Sequence, residues 1–138
     1  MGLENFVGRI EAQPVPLIRR ERGRVAALSG LMAEDAVQRL YLSRGASLLA
    51  SRWRGPSGEI DLIFRDGDDI VFVEVKSAAT HAIAAERLQR AQMRRICQAA
   101  LEYCDRAGHD GLCSMRFDVA LVDRTGRVDL LLNAFGEN

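Results

Sequence analysis

The chain has 138 residues, 48% of them apolar and 28% charged, with Lys plus Arg equal to Asp plus Glu at 19 each. That is enough chain for one domain with a single core, with no apolar run near the ~20 residues of a membrane span and no net charge that demands or forbids a polyanionic partner. Cys97, Cys104 and Cys113 are odd in number and form no CxxC, which argues against a disulfide framework or a zinc site. The opening "MGLENFVGRIEAQPVPLIRR" lacks the basic-then-apolar layout of a secretion signal, so a cytoplasmic protein is expected. Eighteen of the 19 basic residues are Arg; the one Lys is Lys76. An Arg-favouring base composition accounts for much of this bias. It also draws notice to the exception, because Lys is a compact point charge with a shiftable pKa.

Residues 1 to about 20 contain Pro14 and Pro16, show little periodicity and read as a loosely ordered arm. From about Arg22 to Arg44, Ala33, Ala36, Val37 and Leu40 recur at helical spacing, Gly45 supplies a stop, and Gly30 leaves the start open. "ASLLASRW" (46–53) is a short strand and "GPSG" (55–58) a turn. "GEIDLIFRDGDDIVFVEVKS" (58–77) then reads as two strands joined at Gly67-Asp68, a pair with Gly first that suits a type II′ hairpin. Residues 77–86 form a connector. A second helix is expected from about Glu86 to Arg106, with Leu88, Ile96, Ala99, Ala100 and Tyr103 on one face and Cys97 and Cys104 lining its packing side. "MRFDVALVD" (115–123) and "RVDLLLN" (127–133) make a second hairpin about Thr125-Gly126. The order αβββαββ implies a mixed sheet flanked by helices, an α/β fold.

The first hairpin holds the unusual charges. A two-residue turn pairs 66 with 69, and continued outward it sets Asp61 across from Glu74 and Glu59 across from Lys76. Alternation puts Ile60, Leu62 and Phe64 with Val71, Val73 and Val75 on an apolar core face. Glu59 with Lys76 is an ordinary cross-strand ion pair. Asp61 against Glu74 is not, because opposed like charges destabilise a sheet. Either one carboxyl holds a proton or something cationic sits between them. Lys76, two residues along on the same face as Glu74, could partly compensate, and a hard Mg²⁺ ion that keeps positions for water and phosphate oxygens would compensate better.

Asp61, twelve intervening residues and then Glu74-Val75-Lys76 resembles the D…(D/E)xK signature of the restriction-endonuclease-like, PD-(D/E)xK nuclease superfamily. "GLMAEDAVQRLYLSRG", "RWRGPSGEIDLI", "FVEVKS", "RAQMRRICQAALEY" and "MRFDVALV" are similar, in order over about residues 30–135, to the YraN family of small bacterial proteins, which in turn resemble archaeal Holliday-junction resolvases. The resemblance implies a single nuclease-like domain over residues 21–138. It implies Asp61, Glu74 and the Val75 carbonyl as ligands of Mg²⁺ or Mn²⁺, and Lys76 as the group that orients the attacking water. It also implies Glu34, in the position of a first-helix acid, as a further ligand. On its own, an acid on a helix reads as solvated.

Gln92 has a physical argument as well. It lies within the apolar stripe of the second helix, four residues from both Leu88 and Ile96, where an unpaired amide is costly. It bonds backbone, lies at the edge of the stripe, or reaches the active centre, as the family's second helix often does. His81 reads as a solvent-facing loop residue, a phosphate contact or a base. Arg90, Arg94 and Arg95, and Arg52 with Arg54, are solvated faces or contacts to a nucleic-acid backbone. Trp53 packs at a sheet edge or stacks a base. The expected function is metal-dependent hydrolysis of DNA phosphodiesters on branched or single-stranded substrates, with a homodimer or a DNA-processing protein completing the binding surface. The alternative is a nuclease-like scaffold that binds DNA or such a partner without cutting.

Overall fold

The computed structural model describes residues 30–86, 89–108 and 114–135; the N-terminal arm and the start of the first expected helix lie outside them. Helix α1 (30–43) carries Ala33, Val37 and Tyr41 inward at i, i+4 and i+8. It closes as a Schellman motif, with the Ala46 N–H on the Tyr41 carbonyl and the Gly45 N–H on that of Leu42, both at 3.1 Å. Strands β1 (Ser47–Gly55), β2 (Gly58–Asp66) and β3 (Asp69–Ser77) follow. Then come helices α2 (His81–Glu86) and α3 (Arg90–Arg106) and strands β4 (Ser114–Val122) and β5 (Val128–Leu131). The sheet order is β1-β2-β3-β4-β5, with β3 parallel to β4 and the other pairs antiparallel. This is the expected αβββαββ mixed sheet with one addition: His81–Glu86 is a short helix where a plain connector was expected. Thr80 starts it, its Oγ1 accepting the Ile83 N–H at 3.2 Å.

The sheet has a core on each face. On one side Val37 and Tyr41 of α1 pack with Leu62, Phe64, Val71 and Val73; on the other Ile96, Ala99 and Ala100 of α3 pack with Ile60, Ile63, Ile70 and Phe72. Both faces of β2 and β3 are therefore buried, which explains why their sequences read as nearly continuous apolar runs. The expected turn is present: Asp66 pairs with Asp69, Gly67 has φ +62° and Asp68 does not have positive φ, as a type II′ turn requires. Among the described residues no helix is long and apolar enough to cross a membrane. α3 starts at Arg90 instead of Glu86, and the Leu88 side chain lies outside the described residues.

Alternation breaks at one rung. Leu62 packs on the α1 face, yet Ile60 packs on the α3 face with Ile63, so the expected grouping of Ile60 with Leu62 and Phe64 does not hold. β1 does the same: Ala50 and Trp53 both pack on the α3 face although an odd number of positions separates them. The ladder pairs Ser51 with Leu62 and Trp53 with Ile60, and the rung between them belongs to Arg52 and Asp61. Arg52 is left-handed there, at φ +52°. Both strands thus exchange faces at one rung, while their pairing resumes beyond it at Trp53 and Ile60.

Candidate active site

The site forms beside that rung, where β2 leaves β3. Pairing of β2 with β3 ends at Leu62–Val73, so the expected rungs of Asp61 with Glu74 and Glu59 with Lys76 do not form. Instead the Asp61 side chain substitutes for backbone, its Oδ2 accepting the Val75 N–H at 2.8 Å. Val75 thus offers Asp61 its N–H. Glu74, only 5% exposed, faces α3, where its Oε2 accepts a short hydrogen bond from Gln92 Nε2 and lies 3.2 Å from Lys76 Nζ. Glu59 turns to Arg54, 3.3 Å away, not to Lys76. Lys76 sits two residues along β3 from its partner, on the same face.

These contacts leave the carboxylates unevenly compensated. Burial and the charge of Glu74 push the Asp61 carboxyl up to about 7; the Val75 N–H opposes this, while a side-chain hydrogen bond with Glu74 and the charge of Glu59 add to it. Glu34, on α1, is also raised, first by burial, against the opposing hydrogen bond from Arg52 and with the charges of Asp61 and Glu59 adding to the rise. The Arg52 Nε donates to Glu34 Oε1 at 3.0 Å. The structure therefore gathers Asp61, Glu74, Val75, Lys76 and Gln92 directly, and brings Glu34 beside them through Arg52. Among the described residues no group of three or more His, Cys, Asp or Glu is close enough to hold a metal ion.

α3 braces the site from one side. Gln92 holds Glu74, Arg95 Nη1 donates to the Glu59 carbonyl at 3.4 Å, and Glu102 accepts from the Ser57 N–H at 3.0 Å and its Oγ at 2.6 Å. The turn before the GEID segment is thereby fixed to the helix that carries Gln92. Gly58 is required there: its φ is +130°, and a Cβ would collide with the Arg95 guanidinium. Arg94 and Arg90 are exposed, whereas Arg95 is committed to this brace. Trp53 packs into the α3-side core, edge-on to Tyr103 at 5.4 Å between ring centroids. His81 is tied to the β4–β5 turn, its Nε2 2.9 Å from the Arg127 carbonyl and 3.7 Å from Asp123.

A second polar cluster escaped the sequence reading. Asp118, fully buried, accepts from Tyr41 Oη at 2.5 Å, from Arg116 Nε at 3.1 Å and from the Asn133 N–H at 2.8 Å. Arg116 also reaches Asp66 at 3.3 Å. Burial and the Asp118 carboxylate raise the Tyr41 hydroxyl, and Asp118 leads the influences that raise Arg116 against its own burial. Unlike the Asp61–Glu74 pair, this buried acid is fully compensated. The available signal was Asp118 between Phe117 and Val119, with Arg116 two residues before it on the same strand face.

A family model described as uncharacterised protein family UPF0102 matches residues 33–122. A UPF0102 protein of Dinoroseobacter shibae is 48% identical over 123 residues, covering 89% of this chain and 92% of the relative. One of Cereibacter sphaeroides is 50% identical over 113 residues, 82% of this chain and 97% of the relative. One of Ruegeria pomeroyi is 51% identical over 115 residues, 83% and 94%. The matched span runs from α1 to the end of β4 and includes every residue of the candidate site, and the chain belongs to UPF0102, the YraN-like family its motifs resemble.

Proposed function

We propose that the protein is a metal-dependent endonuclease of the restriction-endonuclease-like type, hydrolysing DNA phosphodiesters. One observation carries the reading. Two carboxylates from adjacent strands, Asp61 and Glu74, meet where the β2–β3 ladder opens, and burial beside the Glu74 charge pushes Asp61 up to about 7. A buried acid in this fold can be fully satisfied by the protein alone, as Asp118 is. The donor set, hard oxygens with a lysine alongside, fits Mg²⁺ or Mn²⁺. Such an ion lowers the pKa of bound water and neutralises charge that develops on phosphate oxygens.

The protein's own residues have distinct tasks. Asp61 and Glu74 would hold the ion, and the Val75 carbonyl would be a further ligand; Glu34, which is paired with Arg52, would have to turn to reach it. Gln92 fixes the Glu74 carboxylate so that one oxygen keeps its direction, and the Val75 N–H does the same for Asp61. Lys76, 3.2 Å from Glu74 Oε2, would orient the attacking water or hydroxide.

A second reading, a scaffold that binds DNA or a DNA-processing partner without cutting, is favoured by the absence of a closed three-carboxylate cluster among the described residues. The test is cleavage of junction, flap, single-stranded and duplex DNA with Mg²⁺, Mn²⁺ or Ca²⁺, with Asp61→Ala as control. Cleavage of at least one substrate with Mg²⁺ or Mn²⁺, abolished by chelator and by Asp61→Ala, is expected. Intact binding with no cleavage anywhere on the panel selects the scaffold.

A further inference from the structure

Arg52 is the site's most costly residue in backbone terms. A non-glycine side chain in the left-handed region is disfavoured, and Arg52 adopts it at φ +52° in mid-strand. Strand alternation would group Arg52 with Ala50, on the α3 face. The left-handed turn delivers its guanidinium to Glu34 on α1 instead, at the rung shared with Asp61. The contact is through Nε alone, on a side chain 48% exposed, while Glu34 is 20% exposed. A structural ion pair gives little reason to hold a strained backbone in an edge strand, since a half-exposed pair contributes little to stability.

The charge balance suggests the reason. Arg52 is paired with Glu34 and Lys76 with Glu74, whereas Asp61, on the rung of Arg52, has only the Val75 N–H among the described residues to offset its charge. A divalent cation held by Asp61 and Glu74 would add positive charge beside Arg52, and a phosphodiester would answer it. We infer that Arg52 is the phosphate-binding residue of the site, parked on Glu34 in the free protein and transferred to a nucleic-acid phosphate when Glu34 turns to the cation. The inference rests on the hydrolytic reading above. Arg is suited to the exchange because its planar fork accepts a carboxylate or a phosphate in the same geometry.

The test is DNA binding by fluorescence anisotropy to labelled junction, flap, single-stranded and duplex oligonucleotides in Ca²⁺, over a range of salt. Arg52→Gln and Arg52→Gly should bind about tenfold more weakly at low salt, with the slope of log K against log salt reduced by about one phosphate contact. Arg52→Lys should keep the slope. Arg52→Gly accepts the positive φ, so it remains folded even if other variants do not. Glu34→Gln releases Arg52 and should tighten binding without any cation, and adding Arg52→Gln to it should cancel the gain. Wild-type affinity and slope in Arg52→Gln, or a gain in Glu34→Gln that survives the second substitution, would overturn the assignment. Divalent-ion melting shifts of the wild type, read in parallel, separate the two ideas. A wild type that ions do not stabilise sinks the hydrolytic reading and the exchange with it. An ion-stabilised wild type with Arg52-independent binding sinks the exchange alone.

Discussion

Asp61→Asn tests the central feature through stability, with no substrate needed. The Asp61 carboxyl is raised from 3.8 to about 7 in the fold, so between those values the folded state binds a proton that the unfolded state has released. The associated stability is fully present below the unfolded pKa and is lost as pH rises through the folded one. Each pH unit across that window is worth about 1.4 kcal/mol; over pH 5 to 8, with the interaction shared between Asp61 and Glu74, the wild type should lose about 2 kcal/mol that the variant does not. Asn resembles the protonated acid in shape, so the two proteins should be closest at pH 5, and the variant more stable at pH 8. Urea unfolding across pH 5–8 in chelator, taken as the difference between the two proteins, isolates this group from the rest. Adding Mg²⁺ at about a hundred times its dissociation constant should stabilise the wild type by about 2.7 kcal/mol, more readily at pH 8, where no proton competes, and Asn should remove most of that gain. A variant that unfolds more easily than wild type at pH 8 in chelator, together with a wild type indifferent to metal, would refute the reasoning and make Asp61 a member of a structural charge network.

Lys76→Met should abolish hydrolysis while metal and DNA binding persist, and Lys76→Arg should keep partial activity at most, as followed by single-turnover cleavage beside binding titrations. Tyr41→Phe removes a hydrogen bond to the buried Asp118 carboxylate and should cost about 1–3 kcal/mol, read from urea unfolding, with cleavage unaffected at temperatures where the variant is folded. Gly58→Ala combines a disfavoured φ with a collision against Arg95; it should lower activity as well as stability, because the braced turn leads into Glu59 and Asp61.

Much of this was legible in the chain. Apolar runs in β2 and β3, the Gly67-Asp68 turn and the Gly45 stop are local signals, and local physics decided them. The two carboxylates and Lys76 stood out because charge inside a β-prone run needs a reason. What could not be read was the rung at which both strands change faces. Period-two alternation places Ile60 with Leu62, and only the tertiary competition of two cores, one under each face, turns Ile60 and Trp53 toward α3. The pairings of Glu59 with Arg54 and Arg52 with Glu34 followed from it, whereas Lys76 beside Glu74 was legible from their shared strand face. Asp118 was missed for a related reason: Tyr41 and Asn133 lie far from it along the chain, and only Arg116, two residues away on the same strand face, was local.

The connectivity also dictates a folding order for the site. Asp66 pairs with Asp69 across a tight turn, whereas Asp69 pairs with Ser114, 45 positions on, through the crossover that contains α3. Chain-closure entropy favours the β1–β2–β3 meander first. At that stage Asp61 and Glu74 stand together without Gln92, which arrives only when α3 docks. The carboxylate repulsion is then felt on the way up the barrier, and the amide that orients Glu74 contributes after it. Asp61→Asn should accelerate folding in chelator at pH 8, whereas Gln92→Ala should act mainly on the unfolding rate. The same pair of acids would thus also set the speed at which the fold is reached.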